Sequence, residues 1–242
     1  MIPAQNPISQ PRAATEKTPE SSFNYTFEAI KETRLFNQLS HEQIRDLATL
    51  TSVHHVKKNA YFVREGQTIQ HLLLLHKGRM KLFRHSASGK TITVGVIREK
   101  EPLLISTLFT EKPCWATAQA ITDSVVLSIE KGKIIPFIER NPSVAIVIIG
   151  ILSGQVARAY ERLRDMVAET AEHRIQKTLR LLLERFGPTL SFTAKEIADF
   201  SGTTTETTLR VFSRMKKQNI IQTSRGRIVI LNPVELSSLT ED

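Results

Sequence analysis

Residues Phe192–Gln218 read FTAKEIADFSGTTTETTLRVFSRMKKQ, and this stretch decides the fold of the C-terminal part of the chain. Thr193, followed three residues later by Glu196, forms a capping box and predicts the start of a helix. Ser201-Gly202 interrupts the apolar pattern, because glycine accepts the left-handed conformation that a sharp turn requires. The stretch therefore predicts two helices joined by a tight turn.

The second helix of this pair is predicted to have a buried side and a basic, exposed side. Thr203 or Thr204 caps it, and its buried stripe is predicted to comprise Leu209, Phe212, Met215 and Ile220. The opposite face is expected to carry Thr205, Glu206, Thr208, Arg210, Arg214, Lys216 and Lys217. A polar, basic second helix fits the major groove of DNA, whereas the alternative is an ordinary helical hairpin with a solvated charged face.

Two short strands, Ile220–Gln222 and Ile228–Ile230, are expected to form a wing after the second helix. Arg225-Gly226-Arg227 lies at their tip, where basic side chains can reach phosphates. The formal net charge of +9 suits a polyanionic partner, either nucleic acid or an anionic membrane. The residues predicted to contact DNA are Thr193, Thr203, Thr205, Glu206, Thr208, Arg210, Arg214, Lys217 and Arg225.

Composition limits what the rest of the chain can be. Its 242 residues allow two modest domains, each with its own core. Cys114 is the only cysteine, so a disulfide, a thiolate-held zinc or an iron–sulfur cluster cannot form within one chain. No signal-peptide pattern is seen and no apolar run is expected to span a membrane, which favours a reducing cytoplasm.

The N-terminal part of the chain predicts a β-roll. Residues 1–22 are expected to be a mobile tail, and 27–36 and 40–50 to be helices, the second capped by Ser40. Short apolar or β-branched segments then recur between turn signals, including a hairpin turn at Ser88-Gly89. These predicted strands are Val53–Val56, Tyr61–Val63, Leu72–Leu75, Met80–Phe83, Thr91–Ile97, Ala116–Ala120 and Val125–Ile129.

A long helix is predicted to open at Asn141-Pro142, since proline is favoured at the first helical position. An apolar seam with coiled-coil spacing runs along it and predicts a dimer interface, the alternative being a single core helix. The seam comprises Ile149, Leu152, Val156, Ala159, Leu163 and Met166. A neighbouring stripe is expected to cover the roll and comprises Val144, Val147, Ile148 and Ile151. A break at 170–173 and a helix Arg174–Phe186, ended by Gly187-Pro188, follow.

The predicted fold class is α+β, with an antiparallel β-roll, a long dimerisation helix and a winged helix-turn-helix. The expected domains are a tail at 1–22, an effector-sensing roll at 23–140, the helix at 141–169 and a DNA-binding domain at 170–242. This order resembles the CRP/FNR (cAMP receptor/fumarate-nitrate regulator) superfamily of bacterial transcription regulators over most of the chain.

The most specific part of the resemblance is Thr205-Glu206-Thr207-Thr208-Leu209-Arg210. It resembles the recognition-helix motif of the family, in which a Glu and an Arg four residues later read a TGA core in each half-site. An arginine can contact guanine O6 and N7, and a glutamate can accept from cytosine N4. Where cAMP receptors usually have an Arg before the Glu, this chain has Thr205, and Leu209 replaces a small or polar residue.

The stretch that resembles the cAMP phosphate cassette has lost its charges. Aligned on Leu108-Phe109, Ile105 stands where cAMP-binding members have a Glu that holds the ribose, and Trp115 stands where they have an Arg that holds the phosphate. A cyclic phosphate buried there would lack a counter-charge, at a cost of several kcal/mol. The predicted effector pocket comprises Leu104, Ile105, Ser106, Trp115, Ala116, Thr117 and Tyr160, and cAMP is not expected to bind.

The apolar cassette looks more similar to that of the nitric-oxide-responsive denitrification regulators, which implies a haem or gas effector. The candidate axial ligands are His54, His55, His71, His76, His85, Met80 and Cys114, although each is more readily a surface or packing residue. Alternatives left open are a regulator without a ligand, one controlled by oxidation of Cys114, a cyclic-nucleotide-binding module, and an enzyme. No Gly-rich phosphate loop, HExxH or GxSxG motif is present, so no catalytic residue and no metal site are predicted. RNA polymerase is expected as a partner, and a membrane is not.

Overall fold

The structure is a computed structural model that describes residues 20–87 and 89–240, with side chains from residue 23 onward. The predicted tail at 1–22 lies outside the described residues except for its last three, which belong to a helix. Ser88 of the predicted hairpin turn also lies outside them. The chain forms two compact units: the described part of Met1–Arg84 with Val96–Ser153, and the described parts of His85–Gly95 and Gly154–Asp242.

The first unit opens with two helices, α1 (Glu20–Lys31) and α2 (His41–Thr49), separated by a 3₁₀ turn at Arg34–Phe36. The prediction of one helix over 27–36 is corrected: α1 begins seven residues earlier and ends at Lys31. The Thr33 hydroxyl donates to the carbonyl of Ala29 and satisfies one acceptor at the end of the helix. The predicted cap at Ser40 is confirmed as a full capping box, because the backbone N–H groups and side chains of Ser40 and Gln43 bond reciprocally.

Eight strands follow, and they form two antiparallel sheets with the orders β1-β8-β3-β6 and β2-β7-β4-β5. This is the predicted jelly roll. Its strands are β1 (Thr51–Val56), β2 (Tyr61–Val63), β3 (His71–Lys77), β4 (Met80–His85), β5 (Thr91–Ile97), β6 (Glu101–Leu103), β7 (Thr117–Ala120) and β8 (Ser124–Glu130). The sequence analysis did not predict β6, which contains Pro102. Pro102 lies on an edge strand, where a missing N–H costs no ladder hydrogen bond.

The core of the first unit lies where the helices cover the sheet that contains β3 and β8. Leu72 and Leu74 of β3 and Leu127 and Ile129 of β8 pack there, all at most 1% exposed. The neighbours Leu73 and Leu75 are also buried, at 5% and 0%. Since β3 is buried on both faces, its sequence is a continuous apolar run and not an alternating one.

Two further helices complete the core, α3 (Lys131–Arg140) and α4 (Pro142–Ala168). The sequence did not predict α3, which contains Pro136 but buries Ile134 and Phe137. The predicted start of α4 is confirmed. So is the packing of its first stripe: Val144 and Ile148 belong to the core cluster, and Val147 and Ile151 lie against it.

One expectation about α4 is corrected. The helix contains an 18-residue window with a mean hydropathy of 1.6, so by length and composition alone it is apolar enough to cross a membrane. Helices that pack against protein pass the same test. On one side of this helix, Val144 and Ile148 pack into the core of the first unit.

The second unit is built around α5 (Ala171–Phe186), α6 (Ala194–Ser201) and α7 (Thr205–Lys217). A small antiparallel sheet of order β10-β11-β9 and a last helix accompany them. These elements are β9 (Thr189–Leu190), β10 (Ile221–Ser224), β11 (Arg227–Ile230) and α8 (Pro233–Ser238), of which β9 and α8 were not predicted. The predicted break at 170–173 is shorter than expected, because Thr170 accepts from the N–H of His173 and starts α5 three residues early.

Candidate nucleic-acid interface

The turn between α6 and α7 is fixed by local interactions that the sequence predicted. Thr193 and Glu196 form the expected capping box. Gly202 ends α6 with φ +64°, the left-handed conformation that favours glycine. Thr204 caps α7 by accepting from the N–H of Thr207. α6 and α7 are therefore joined by a short turn with a fixed conformation, as in a helix-turn-helix.

The prediction for the buried side of α7 is wrong at two positions. Leu209, predicted to be buried, is 54% exposed, whereas Thr208, predicted to be exposed, is fully buried. The buried positions are Thr208, Val211, Phe212 and Met215, which recur at the three- and four-residue spacing of one helix face. Phe212 and Met215 are buried as predicted, so the buried face is rotated by roughly 50°, about half the turn of one residue, from the predicted one.

A chain of hydroxyl groups explains how a threonine can occupy the buried face. Thr208 Oγ1 lies 3.1 Å from Thr203 Oγ1, which lies 3.2 Å from Ser201 Oγ. Thr208 also donates to the carbonyl of Thr204, at 3.1 Å. Buried hydroxyls cost little once they are hydrogen-bonded. Thr203 and Thr208, both predicted to contact DNA, are instead part of the internal packing of the turn, because their hydroxyls are buried and satisfied.

The exposed side of α7 presents an acidic and a basic residue together. Glu206 and Arg210 are both exposed and, being four residues apart, lie on one face. Neither side chain forms a hydrogen bond or an ion pair with any of the described residues. Thr205 and Lys217 are exposed on the same helix. These two side chains of opposite charge, about one helical turn apart, are therefore exposed to solvent.

Arg214 differs from Arg210, although both lie on α7 and both were predicted to contact DNA. Its guanidinium forms an ion pair with Glu172, in the first turn of α5. The pair is half exposed, so it is available for exchange with a phosphate. Arg214 thus joins α7 to α5 within the second unit.

The wing has the predicted form. Ser224 and Arg227 are paired at the ends of β10 and β11, and Gly226 turns the chain with φ +69°. Arg225 and Arg227 are exposed beside it. Thr193, also predicted to contact DNA, is exposed, but its hydroxyl donates to the Glu196 carboxylate at 3.0 Å.

Two arginines that the sequence analysis did not single out hold the end of α6. Arg162 on α4 donates to the carbonyls of Phe200, at 2.5 Å, and of Thr93, at 2.6 Å. Arg174 on α5 donates to the carbonyl of Ser201, at 3.0 Å. Positive groups at a helix C-terminus satisfy its unpaired carbonyls and oppose its dipole. Burial lowers the pKa of Arg162, whose charge is stabilised by carbonyl dipoles.

The predicted effector stretch of the roll carries no charged side chain, and its central residue is buried. A 3₁₀ turn spans Ile105–Phe109, and Ile105 is 1% exposed. Leu104, which directly precedes Ile105, is left-handed with φ +49° and is buried. Ala116 and Thr117, which also belong to the predicted pocket, are buried as well.

Two aromatic residues of the predicted pocket are exposed. Trp115 is 40% exposed, and its Nε1–H donates to Ser106 Oγ at 3.2 Å. Tyr160 lies on α4 in the second unit and is 70% exposed. Neither Ile105 nor Trp115 can supply the charge that a cyclic phosphate requires.

The residues considered as haem ligands are distributed over the roll. His54 on β1 shares a hydrogen bond with Ser128 Oγ at 2.7 Å, and His76 on β3 packs edge-on against Tyr25. Met80 is fully buried. Cys114 is 2% exposed and its thiol donates to the carbonyl of Ala116, while burial raises the pKa of that thiol. No group of three or more His, Cys, Asp or Glu side chains able to hold a metal ion occurs among the described residues.

A winged helix-turn-helix that follows a jelly roll and a long helix defines a class of DNA-binding protein. Residues 53–141 match the family model of the cyclic nucleotide-binding domain, and residues 173–239 match that of the Crp-like helix-turn-helix domain. The chain belongs to the CRP/FNR superfamily and is a transcription regulator of this type.

Named relatives agree with this assignment. The chain is 22% identical over 195 residues to the anaerobic regulatory protein of Bacillus subtilis, covering 77% of this chain and 82% of that one. It is 26% identical over 167 residues to the cyclic AMP receptor protein of Thermus thermophilus, covering 69% and 77%. The solved structure of FixK2 from Bradyrhizobium japonicum superposes with a TM-score of 0.70 at 18% identity, covering 79% and 98%, and shares the fold.

Proposed function

We propose that the protein is a cytoplasmic homodimer that reads palindromic DNA with TGA-core half-sites and responds to an effector other than a cyclic nucleotide. In this proposal residues 23–140 sense the effector, 141–169 dimerise and 170–242 bind DNA. We assign no catalytic role. The observation that carries the proposal is the pair Glu206 and Arg210, exposed on one face of α7 without a partner among the described residues.

The chemistry of this pair suits base reading. In a helix-turn-helix the N-terminal part of the second helix reaches the base edges, and Glu206 lies in the first turn of α7. Arg210 would donate two hydrogen bonds to guanine, and Glu206 would accept from the cytosine amino group. Lys217 and Arg225 would contact phosphates and set the position of the protein without selecting a sequence.

Dimerisation through α4 is supported by its second apolar face. Val156, Leu163 and Met166 of the predicted seam are 54%, 58% and 50% exposed, and Tyr160 is 70% exposed. Leu152 is only partly exposed because it lies against the core of the first unit, so the interface that we propose is centred on Val156 and Leu163. Hydrophobic residues at this spacing are stabilised by a second helix.

The effector that we propose is haem, a gas or an apolar small molecule, and not a cyclic nucleotide. The cyclic AMP receptor protein of T. thermophilus is named for a charged ligand, but the equivalent stretch here offers Ile105 and Trp115. No described residue is assigned as a haem ligand. Control by oxidation of Cys114 is disfavoured, since a buried thiol with a raised pKa forms little thiolate.

RNA polymerase is proposed as a further partner. One relative, 24% identical, is named the transcriptional activator protein Anr of Pseudomonas protegens. An activator acts on transcription only if polymerase is recruited or remodelled, so the same kind of partner is expected here.

The test is a set of binding titrations on a palindromic TGA/TCA site and on scrambled DNA, each at two salt concentrations. Arg210→Ala should cost about 1–3 kcal/mol on the palindrome and much less on scrambled DNA, because it removes a bidentate base contact. Lys217→Ala is the matched control on the same helix and should weaken both DNAs alike. Equal losses on both DNAs for Arg210→Ala would mean that Arg210 contacts only phosphate, and the base-reading assignment would be withdrawn.

A further inference from the structure

An exposed leucine lies beside the two charged residues that are proposed to read DNA. Leu209 is 54% exposed and directly precedes Arg210. Single exposed leucines are common on protein surfaces and require no explanation. This one is distinguished by its position, because it lies on the proposed base-reading face of α7 and follows Glu206 by three residues.

The helix geometry places Leu209 next to Glu206 and away from the protein core. Three residues turn an α-helix by about 300° and advance it by about 4.5 Å. Leu209 therefore lies about 60° around the axis from Glu206, on the side opposite to Arg210. The buried face is occupied by Thr208, Phe212 and Met215. If Glu206 and Arg210 enter the major groove, the leucine side chain enters it with them.

The major groove presents few groups that an aliphatic side chain can contact favourably. Its edges carry hydrogen-bond donors and acceptors, and the apolar exception among unmodified bases is the C5-methyl group of thymine. Pressing leucine against a polar base edge would remove water from that edge without replacing its hydrogen bonds. Against a thymine methyl, the same approach buries apolar surface on both partners.

We propose that Leu209 reads a thymine methyl group in each half-site and so adds a specificity contact to those of Glu206 and Arg210. This inference rests on the proposed function, since it requires α7 to lie in the major groove. It identifies a recognition element, a methyl group, that neither charged residue can detect.

The experiment replaces each thymine of the palindrome in turn with deoxyuridine, which removes only the methyl group. One such replacement should weaken binding of the unaltered protein about four-fold per half-site, from about 0.8 kcal/mol for one buried carbon. Leu209→Ala should bind the thymine site less tightly than the unaltered protein does, with a loss of affinity as large as or larger than that caused by deoxyuridine. The variant should no longer distinguish thymine from deoxyuridine at that position.

Leu181→Ala is the control variant, because Leu181 is an exposed leucine (43%) on α5 outside the proposed reading face. It should keep the full sensitivity to deoxyuridine. The inference is overturned if the unaltered protein binds every deoxyuridine site as tightly as the thymine site, or if Leu209→Ala keeps the discrimination.

The two levels of the proposal fail in different ways. If Arg210→Ala retains its preferential loss on the palindrome while Leu209 shows no coupling to any methyl group, only the present inference is wrong. If the protein does not prefer the palindrome to scrambled DNA, the proposed function fails, and the methyl contact fails with it.

Discussion

The recognition helix and the predicted effector stretch resemble family motifs in opposite ways. α7 keeps the charged residues of the motif, and Glu206 and Arg210 are exposed without partners among the described residues. Ile105 is buried in a 3₁₀ turn, and no residue of the predicted pocket is charged. One region therefore presents charged side chains to solvent, and the other has none where the family motif has a Glu and an Arg.

This difference shows that the fold and the choice of ligand depend on different residues. The roll is held together by apolar side chains such as Leu72 and Leu127, which are unaffected by what the cassette binds. Charged groups at a binding site contribute little to the core, so they can be replaced without changing the fold. Four experiments test the comparison, and they are given from the largest expected effect to the smallest.

The largest change is expected in the free energy of unfolding when a charged side chain replaces the buried Ile105. Ile105→Glu should destabilise the protein by about 3 kcal/mol or more, because the carboxylate would be buried without a partner. Urea unfolding monitored by circular dichroism measures this. Trp115→Arg is the control, since Trp115 is already 40% exposed and the change should cost less than about 1 kcal/mol. Equal stability of Ile105→Glu and the unaltered protein would show that the stretch is solvated.

The next effect concerns the pairing of two recognition helices. Val156→Asp combined with Leu163→Asp should dissociate the dimer and weaken binding to the palindrome by about 100-fold or more, because two linked half-sites bind with avidity. Light scattering and DNA titration measure the two consequences. Leu181→Asp changes an exposed leucine on α5 and should leave the dimer intact. An intact dimer in the double variant would assign the apolar face of α4 to another partner, such as lipid.

A smaller effect separates the buried side of α7 from its exposed side. Thr208→Val keeps the shape of the side chain but removes the hydroxyl that bonds Thr203 and the Thr204 carbonyl. The loss should be about 1–2 kcal/mol in urea unfolding, with no change in base preference. Thr205→Val, at an exposed position, should change stability by less than about 0.5 kcal/mol. The opposite order of the two losses would place Thr208 outside the core.

The smallest effect is expected for a phosphate contact. Lys217→Ala should reduce the salt dependence of DNA binding by about 0.9 in the slope of log affinity against log salt for each half-site, since one phosphate contact is lost. Titrations at several salt concentrations on one palindrome measure the slope. Arg210→Ala is the comparison, because loss of a base contact should lower affinity with a smaller change in slope. An unchanged slope for Lys217→Ala would remove it from the interface.

Many elements of the fold could be predicted because their signals are local. All seven predicted strands of the roll are present, and the helix starts at Ser40 and Thr193 are confirmed. β6 and α3, which contain Pro102 and Pro136, were not predicted. Proline is tolerated at a sheet edge, as at Pro102, and α3 accommodates Pro136 while its other side chains pack against the roll.

The sequence by itself determined the helix caps, the turns and which charged residues are available to contact DNA. These depend on groups within four residues of one another, such as Thr193 with Glu196 or Gly202 with the carbonyls of α6. Only the tertiary structure decided that Thr208 is buried and Leu209 exposed, that Arg214 pairs with Glu172, and that Arg162 binds the carbonyl of Phe200. Arg214 and Arg162 bond partners 42 and 38 residues away in the chain, which local sequence cannot reveal. The Thr208 hydroxyl is bonded by residues within five positions, but its burial and the exposure of Leu209 depend on which face of α7 packs against α5 and α6.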